Sequence, residues 1–229
     1  MAVAAFAALA APAAGAGERQ SGSFTFTSNV PGTPTGTVFS FDFVNPDDPN
    51  AKPYGLATMV IHYPTGYTVD TTVPPQCHAT DAELLVEGPS ACPAASKLGG
   101  GEALSDIGGS DPGSRYTKAT ISDFNNQDEI IGVGESQSSP TIRSVDHTRY
   151  GDGTSTTTFP VFPGFPPPDP FLGLKSLDIT FPPYVLADGR TYARTPPACP
   201  RERFWAITLD FTYHDGVTQS VVSHSPCRR

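Results

Sequence analysis

The sequence predicts an all-β protein, an antiparallel β-sandwich of jelly-roll or immunoglobulin-like type with one short helix. Short stretches alternate between apolar and polar residues at a period of two, which is typical of half-buried strands. The 25 prolines and 22 glycines among the 229 residues separate these stretches. Their share stays below the ~25–30% that is typical of disordered chains, so they indicate turns between strands. A chain of this length is compatible with a single β domain.

The first 16 residues are predicted to be a signal peptide. They are rich in Ala, carry no charge and end in Ala14-Gly15-Ala16. An apolar run followed by small residues is typical of a secretory signal and its cleavage site, although no positive charge precedes this one. We therefore expect cleavage after Ala16, a single mature domain over residues 17–229, and no integral membrane segment in it. An uncleaved anchor and a start upstream of Met1 are the alternatives.

Strands are predicted along most of the mature chain. The first carries Phe24 and Phe26 on one face, and the second places three aromatic residues at alternate positions between Val38 and Val44. Asp215-Gly216 is typical of a hairpin turn between the last two strands. The remaining predicted strands are 56–63, 102–107, 115–124, 129–133, 141–150, 154–159, 174–181, 204–213 and 217–223.

A helix of about two turns is predicted after Thr80. Thr80 and Glu83 have the spacing of a capping box, in which each residue satisfies a backbone N–H of the other. Gly88-Pro89 is expected to end the helix. The glycines at 99–101 are interpreted as a turn that precedes the strand beginning at Glu102.

The four cysteines indicate two disulfides, as expected for a secreted chain. Four cysteines allow three connectivities, and the sequence alone does not select one. Their layout favours local pairing, Cys77 with Cys92 around the helix and Cys199 with Cys227 around the last hairpin. A zinc site is the alternative, but the chain has no C-x-x-C motif.

Several short motifs resemble those of uncharacterised secreted proteins from high-GC Gram-positive bacteria, which carry a C…CPxxSxIG segment and end in a disulfide-bracketed hairpin. The resemblance implies a secreted β-rich domain with two local disulfides, and it implies no activity. Leu98 replaces the β-branched residue of that segment. The matching residues are Val44–Pro49, Cys77, Asp81, Glu83, Leu84, Gly88–Gly99, Cys199-Pro200, Trp205, Phe211, Tyr213–Gly216 and Ser225–Cys227.

The net charge of −9 argues against a nucleic-acid partner, because binding to phosphates requires a dense set of Lys and Arg. An acidic surface is also repelled by anionic lipid headgroups. No cofactor is expected. The expected partner is an envelope or extracellular molecule of unknown identity.

Candidate catalytic residues are few, and we assign no catalytic or metal site. The chain has no G-x-S-x-G motif. Asp146-His147 is interpreted as a solvated strand position, His62 as a strand residue, His214 as a turn flank and Trp205 as a core residue.

Four acidic residues would suit a glycosidase if two of them faced each other across a concave sheet: Asp123, Asp128, Glu129 and Glu135. Asp47-Asp48 and Asp128-Glu129 are alternatives for calcium, but they lack EF-hand spacing.

A possible binding surface lies in the proline-rich segment 159–171. It consists of four aromatic residues interleaved with prolines, namely Phe159, Phe162, Phe165 and Phe171. We predict a secreted or cell-surface protein without catalytic activity, acting as a structural or interaction module. The alternatives are a carbohydrate-active hydrolase or lyase on a similar fold, and a module that binds glycan, lipid or peptide.

Overall fold

Strands dominate the structure, a computed structural model that describes residues 17–108, 115–162 and 169–228. One short helix, α1 (Asp81–Glu87), lies among them. The strands in chain order are β1 Gln20–Phe26, β2 Thr37–Phe43, β3 Leu56–His62, β4 Thr68–Val69, β5 Lys97–Asp106, β6 Tyr116–Asn126, β7 Glu129–Ser136, β8 Arg143–Gly151, β9 Thr154–Thr158, β10 Gly173–Phe181, β11 Ala193–Arg194, β12 Phe204–Tyr213 and β13 Thr218–Pro226.

Within the described residues, eleven of these strands form a single sheet in the order β1-β2-β10-β5-β6-β7-β8-β9-β3-β12-β13, and β4 pairs with β11 separately. All the ladders in the main sheet are antiparallel. The prediction of an antiparallel all-β chain with one short helix is therefore confirmed. The predicted sandwich is not confirmed, because the core forms between opposite sides of one curved sheet.

The two ends of the sheet, β1 and β13, lie side by side, so the sheet is a nearly closed barrel. Their contact uses serine hydroxyls: the N–H groups of Phe24 and Phe26 donate to Oγ of Ser223 and Ser225, both at 2.9 Å. The serine side chains cover the edges of β1 and β13, to which another strand could otherwise pair. The barrel is thus sealed by side chains at this seam.

The core lies inside the barrel and is rich in aromatic residues. Alternate residues of β2 point inward, and Phe41 packs against Phe211 of β12 with ring centroids 5.1 Å apart. Trp205 is 1% exposed and donates from Nε1 to the carbonyl of Ala198, which confirms its prediction as a core residue. These contacts fill the β1, β2, β3 and β12 side of the interior.

Helix α1 packs on the outside of the barrel. Thr80 and Glu83 form the predicted capping box, and the helix ends at Gly88. Leu84 is fully buried in a small cluster against Phe124, Ile131 and Val133, which face outward from β6 and β7.

Both local disulfides are present. Cys77–Cys92 spans α1 with Cα atoms 5.0 Å apart, and Cys199–Cys227 joins the loop before β12 to the end of β13 with Cα atoms 5.7 Å apart. Both disulfides lie at the same end of the barrel. This end, where β3 finishes and β5 begins, is called the lower end. The opposite end, where β6 begins and β7 finishes, is the upper end.

The glycines at 99–101 were predicted as a turn, and this prediction is wrong. They lie within β5, which begins at Lys97 and pairs with both β10 and β6. The physical reason is close approach: a Cβ on Gly101 would overlap the carbonyl oxygen of Asp178, and one on Gly99 would overlap that of Thr180. Glycine is needed here because the backbones come too close for a side chain.

In the described part of the chain, no helix combines the length and the apolar character needed to cross a membrane. The predicted signal peptide at residues 1–16 lies outside the described residues, so cleavage after Ala16 stays a prediction.

Candidate binding cavity

The barrel encloses a cavity of about 670 Å³. A barrel of eight or more strands has an interior wide enough to hold a ligand when its side chains do not fill it. One wall of this cavity is apolar and comes from β1, β2, β3 and β10. It includes Phe24, Phe39, Met59, Ile61, Leu177 and Ile179.

The opposite wall is made of small and polar residues from β6, β7, β8 and β9. Asp123 pairs with Gly132, and Gly132 pairs with Asp146, so the three residues form a row across β6, β7 and β8. Both carboxyl groups line the cavity. Because Gly132 has no side chain, the Asp146 carboxylate occupies the space above it, with its oxygens 2.5 and 2.6 Å from where a Cβ would stand.

The pKa values of both aspartates are raised. Burial raises the pKa of Asp146 to about 6. Burial also raises the pKa of Asp123 well above its usual value, and the neighbouring charge of Asp146 raises it further. Asp123 is 4% exposed, and its buried Oδ2 accepts no hydrogen bond. A buried polar atom without a partner is rare in folded proteins and is costly.

Tyrosines close the lower end of the cavity. Tyr63 and Tyr67 stack with ring centroids 4.5 Å apart, and the hydroxyl of Tyr63 lies 2.9 Å from Oγ of Ser155. The hydroxyls of Tyr150 and Tyr192 lie 3.1 Å apart. Burial raises the pKa of Tyr63 to about 12 and raises the pKa of the other three as well, so all four hydroxyls are neutral and remain hydrogen-bond donors.

The upper end of the cavity reaches the surface. Tyr116 and Ile142 line it, and they are 44% and 61% exposed. Phe159 and Phe162 of the predicted aromatic surface also line the cavity at this end. Phe171 instead stacks on His214 with ring centroids 3.8 Å apart.

Phe165 lies outside the described residues. The predicted aromatic surface is therefore divided, because two of its members face the cavity and Phe171 serves as an anchor for its own loop. The carbonyl groups of Asp169 and Phe171 accept hydrogen bonds from the buried Lys52 ammonium, which holds that loop in place. Ligand binding by these aromatic residues stays a prediction.

No known protein family and no curated protein matches the sequence. Among solved structures, a DUF4466 family protein from Parabacteroides merdae ATCC 43184 is similar with a TM-score of 0.30 and 11% identity, covering 89% of this chain and 42% of that chain. This chain therefore spans less than half the length of that protein. A TM-score of this size does not establish a shared fold.

The other acidic candidates form local contacts. Glu135 is paired with Arg143 at 2.8 Å, and Asp128 bonds with Thr71 in the turn before β7. Asp47 accepts from the Tyr54 hydroxyl, and Asp48 accepts from a backbone N–H in its own turn. Among the described residues, no group of three or more His, Cys, Asp or Glu side chains is placed to hold a metal ion.

The Asp146-His147 pair is separated by the strand on which it lies. Successive residues of a strand point to opposite faces, so Asp146 faces the cavity while His147 contacts Glu129 and Asp81 outside the barrel, at 3.3 and 3.0 Å. Both residues are half-buried, so the solvated position predicted for the pair is not confirmed. The facing pair of carboxylates, Asp123 and Asp146, was missed. Asp123 shares a strand face with Ala119 and Ile121, which is a local sign that it points inward.

Proposed function

We propose that this protein binds a small, largely apolar molecule inside its barrel and does not transform it. The observation that supports this is the cavity of about 670 Å³, which lies within the ~300–1,000 Å³ typical of small-molecule sites. Such sites combine apolar walls with a few polar groups that orient the ligand. The apolar wall and the isolated aspartate pair have this composition.

We propose a secreted or cell-surface location for this binding function. Two disulfides are compatible with an oxidising compartment, where such bonds persist. The predicted signal peptide and the resemblance to secreted bacterial proteins support the same location. Recovery of the protein from the culture medium with Gly17 as its first residue would test it.

A neutral apolar dye tests the binding proposal. N-phenyl-1-naphthylamine fluoresces strongly in apolar surroundings, and we expect saturable binding to the full protein. Ala119 lines the cavity, while the neighbouring Lys118 is exposed on the outer face of β6. Ala119→Phe should fill part of the cavity and weaken dye binding, whereas Lys118→Phe should leave binding unchanged.

Circular dichroism establishes that both variants fold, and Ser136→Phe, also in the cavity lining, replaces Ala119→Phe if that variant does not fold. Dye binding that is absent from the wild type, or equal in the cavity and surface variants, would overturn the proposal.

A hydrolase acting on a glycoside is the second candidate, and the Asp123–Asp146 pair favours it. Their strands flank β7, so the two backbones are two strand spacings, or about 9.5 Å, apart. The Asp146 carboxylate leans over Gly132, which brings the carboxyl groups closer than the backbones. Glycosidases hold two carboxyl groups ~5–9.5 Å apart. The large apolar wall disfavours a sugar. Release of nitrophenol from aryl glycosides by the wild type, lost in Asp146→Asn, would establish the hydrolase instead.

A further inference from the structure

We propose that the ligand carries a cationic amine, which Asp123 and Asp146 bind at the polar wall of the cavity. This inference rests on the proposed function, because it names the chemical class of the molecule bound in the same cavity. The predicted ligand has an apolar body and one ammonium group.

The first argument is the hydrogen-bond state of the polar wall. Two pairs of hydroxyls in the cavity lining are already bonded to each other: Oγ1 of Thr148 lies 2.7 Å from Oγ1 of Thr157, and the Tyr63 hydroxyl is bonded to Ser155. Asp123 differs, because its buried Oδ2 accepts no hydrogen bond. A buried acceptor without a donor is costly, so this atom indicates that a donor is supplied from the cavity.

The second argument is charge. Among the described residues that line the cavity, the charged side chains are Asp123, Asp146 and Arg143. Arg143 does not neutralise the aspartates, because its guanidinium is paired with Glu135 at 2.8 Å and donates to the carbonyls of Leu85 and Val86 near the outer helix. Lys97 donates to Oγ of Ser122, whose strand position faces outward. The described part of the cavity therefore presents two acidic groups without a cation inside it.

The third argument is geometry. Asp123 and Asp146 lie on the same face of the sheet on either side of Gly132, and the Asp146 carboxylate leans over Gly132, so a group on the cavity side of the two aspartates is placed to reach both carboxylates. An ammonium group has three donors and suits two carboxylates that converge on one point. The apolar wall lies across the cavity and would contact the rest of such a molecule.

A matched series of eight-carbon compounds tests the proposal by displacement of the bound dye at pH 7.5. Octylamine, 1-octanol and octanoate share one apolar chain and differ in charge. We expect octylamine to bind about tenfold more tightly than 1-octanol, as for a hydrogen bond between charged groups, and octanoate to bind most weakly. Asp146→Asn and Asp123→Asn should each reduce the affinity for octylamine toward that for 1-octanol.

The control is Asp178→Asn, an exposed aspartate on the outer face of β10 that accepts from Ser40. It should leave all three affinities unchanged.

A second readout is the pH dependence of binding, since the amine binds ionised carboxylates and competes with protons. The groups that affect them electrostatically are Lys97, on the outside of β5, and His147, on the outside of β8. Octylamine affinity should fall between pH 7.5 and pH 5, while 1-octanol affinity should not.

The outcomes separate the two proposals. Equal affinities for octylamine and 1-octanol overturn the amine site and leave the apolar binding function in place. An unchanged preference for octylamine in both aspartate variants also overturns the amine site. Failure of all three compounds to displace a dye that binds the cavity, or failure of the dye itself, overturns both proposals.

Discussion

The hydroxyl of Ser223 accepts a hydrogen bond from the backbone N–H of Phe24 at 2.9 Å and donates one to the carbonyl oxygen of the same residue at 2.8 Å. The Ser223 side chain thus supplies the hydrogen-bond partners that a neighbouring strand would otherwise give to the backbone N–H and C=O of Phe24. Both residues are buried, at 5% and 4% exposure. The closure of the barrel depends on this contact and on the similar one at Ser225.

We expect Ser223→Ala to lower the free energy of unfolding by about 1–3 kcal/mol, because it leaves two buried backbone groups without partners. Urea denaturation measures the change. Ser220→Ala on the same strand is the control, since its hydroxyl is exposed and bonds only to Asp210. Equal effects of the two substitutions would contradict the role of Ser223 in the seam.

The stability of the fold should depend on pH through Asp146. Its pKa is about 6 in the folded state and near 3.8 in the unfolded chain, so the folded state prefers the protonated form. Its contribution is fully present below about pH 3.8 and is lost as the pH rises through 6. The difference corresponds to about 3 kcal/mol at neutral pH.

Asp146→Asn should therefore be more stable than the wild type at pH 7.5 and differ little from it at pH 4, as measured by urea denaturation at both values. A half-buried charged group that lowers stability is expected at a functional site. Asp178→Asn, on the outer face, should show no such pH-dependent gain. A variant that is destabilised equally at both pH values would contradict the assignment.

Gly101→Ala should prevent folding or lower the free energy of unfolding by about 3 kcal/mol or more, because its Cβ would overlap the carbonyl oxygen of Asp178. Gly151→Ala is the matched control. A Cβ there meets no atom within 4 Å, so we expect little change. Thermal melting of the two purified variants distinguishes them, and similar melting temperatures would show that β5 and β10 separate easily.

Removal of the first disulfide should affect stability and leave ligand binding intact. Replacement of both Cys77 and Cys92 by Ala opens a loop with a sequence separation of 15 and should cost about 3 kcal/mol. The residues that it fastens, including Leu84, pack outside the barrel. Dye affinity at low temperature should therefore match that of the wild type. A large loss of affinity would show that the position of α1 affects binding in the cavity.

Most strands were predictable because alternation is a local property. Phe39, Phe41 and Phe43 reveal a buried face by themselves, and the capping box at Thr80 reveals the start of a helix. The same alternation does not tell whether a buried face meets a second sheet or the far side of its own sheet. That choice depends on contacts such as Phe24 with Ser223, which are 199 residues apart in sequence.

The cavity site was less predictable for a related reason. Asp123 and Asp146 are brought together by the register of three strands, and Gly132 between them carries no chemical signal of its own. The glycines at 99–101 were misassigned because glycine serves both turns and close strand contacts. Adjacency in the sequence was also misleading, because His147 follows Asp146 in the chain but points to the opposite face of the sheet.

The seam between β1 and β13 also has a consequence for the synthesis of the chain. Strands β1 and β13 are the first and last of the described chain, so the cavity cannot be enclosed until residues near 223 have left the ribosome. Closing so long a loop is entropically unfavourable, and folds dominated by such distant contacts form slowly. During that interval the aromatic lining is uncovered. Until its last strand has formed, such a chain exposes apolar surface that can aggregate.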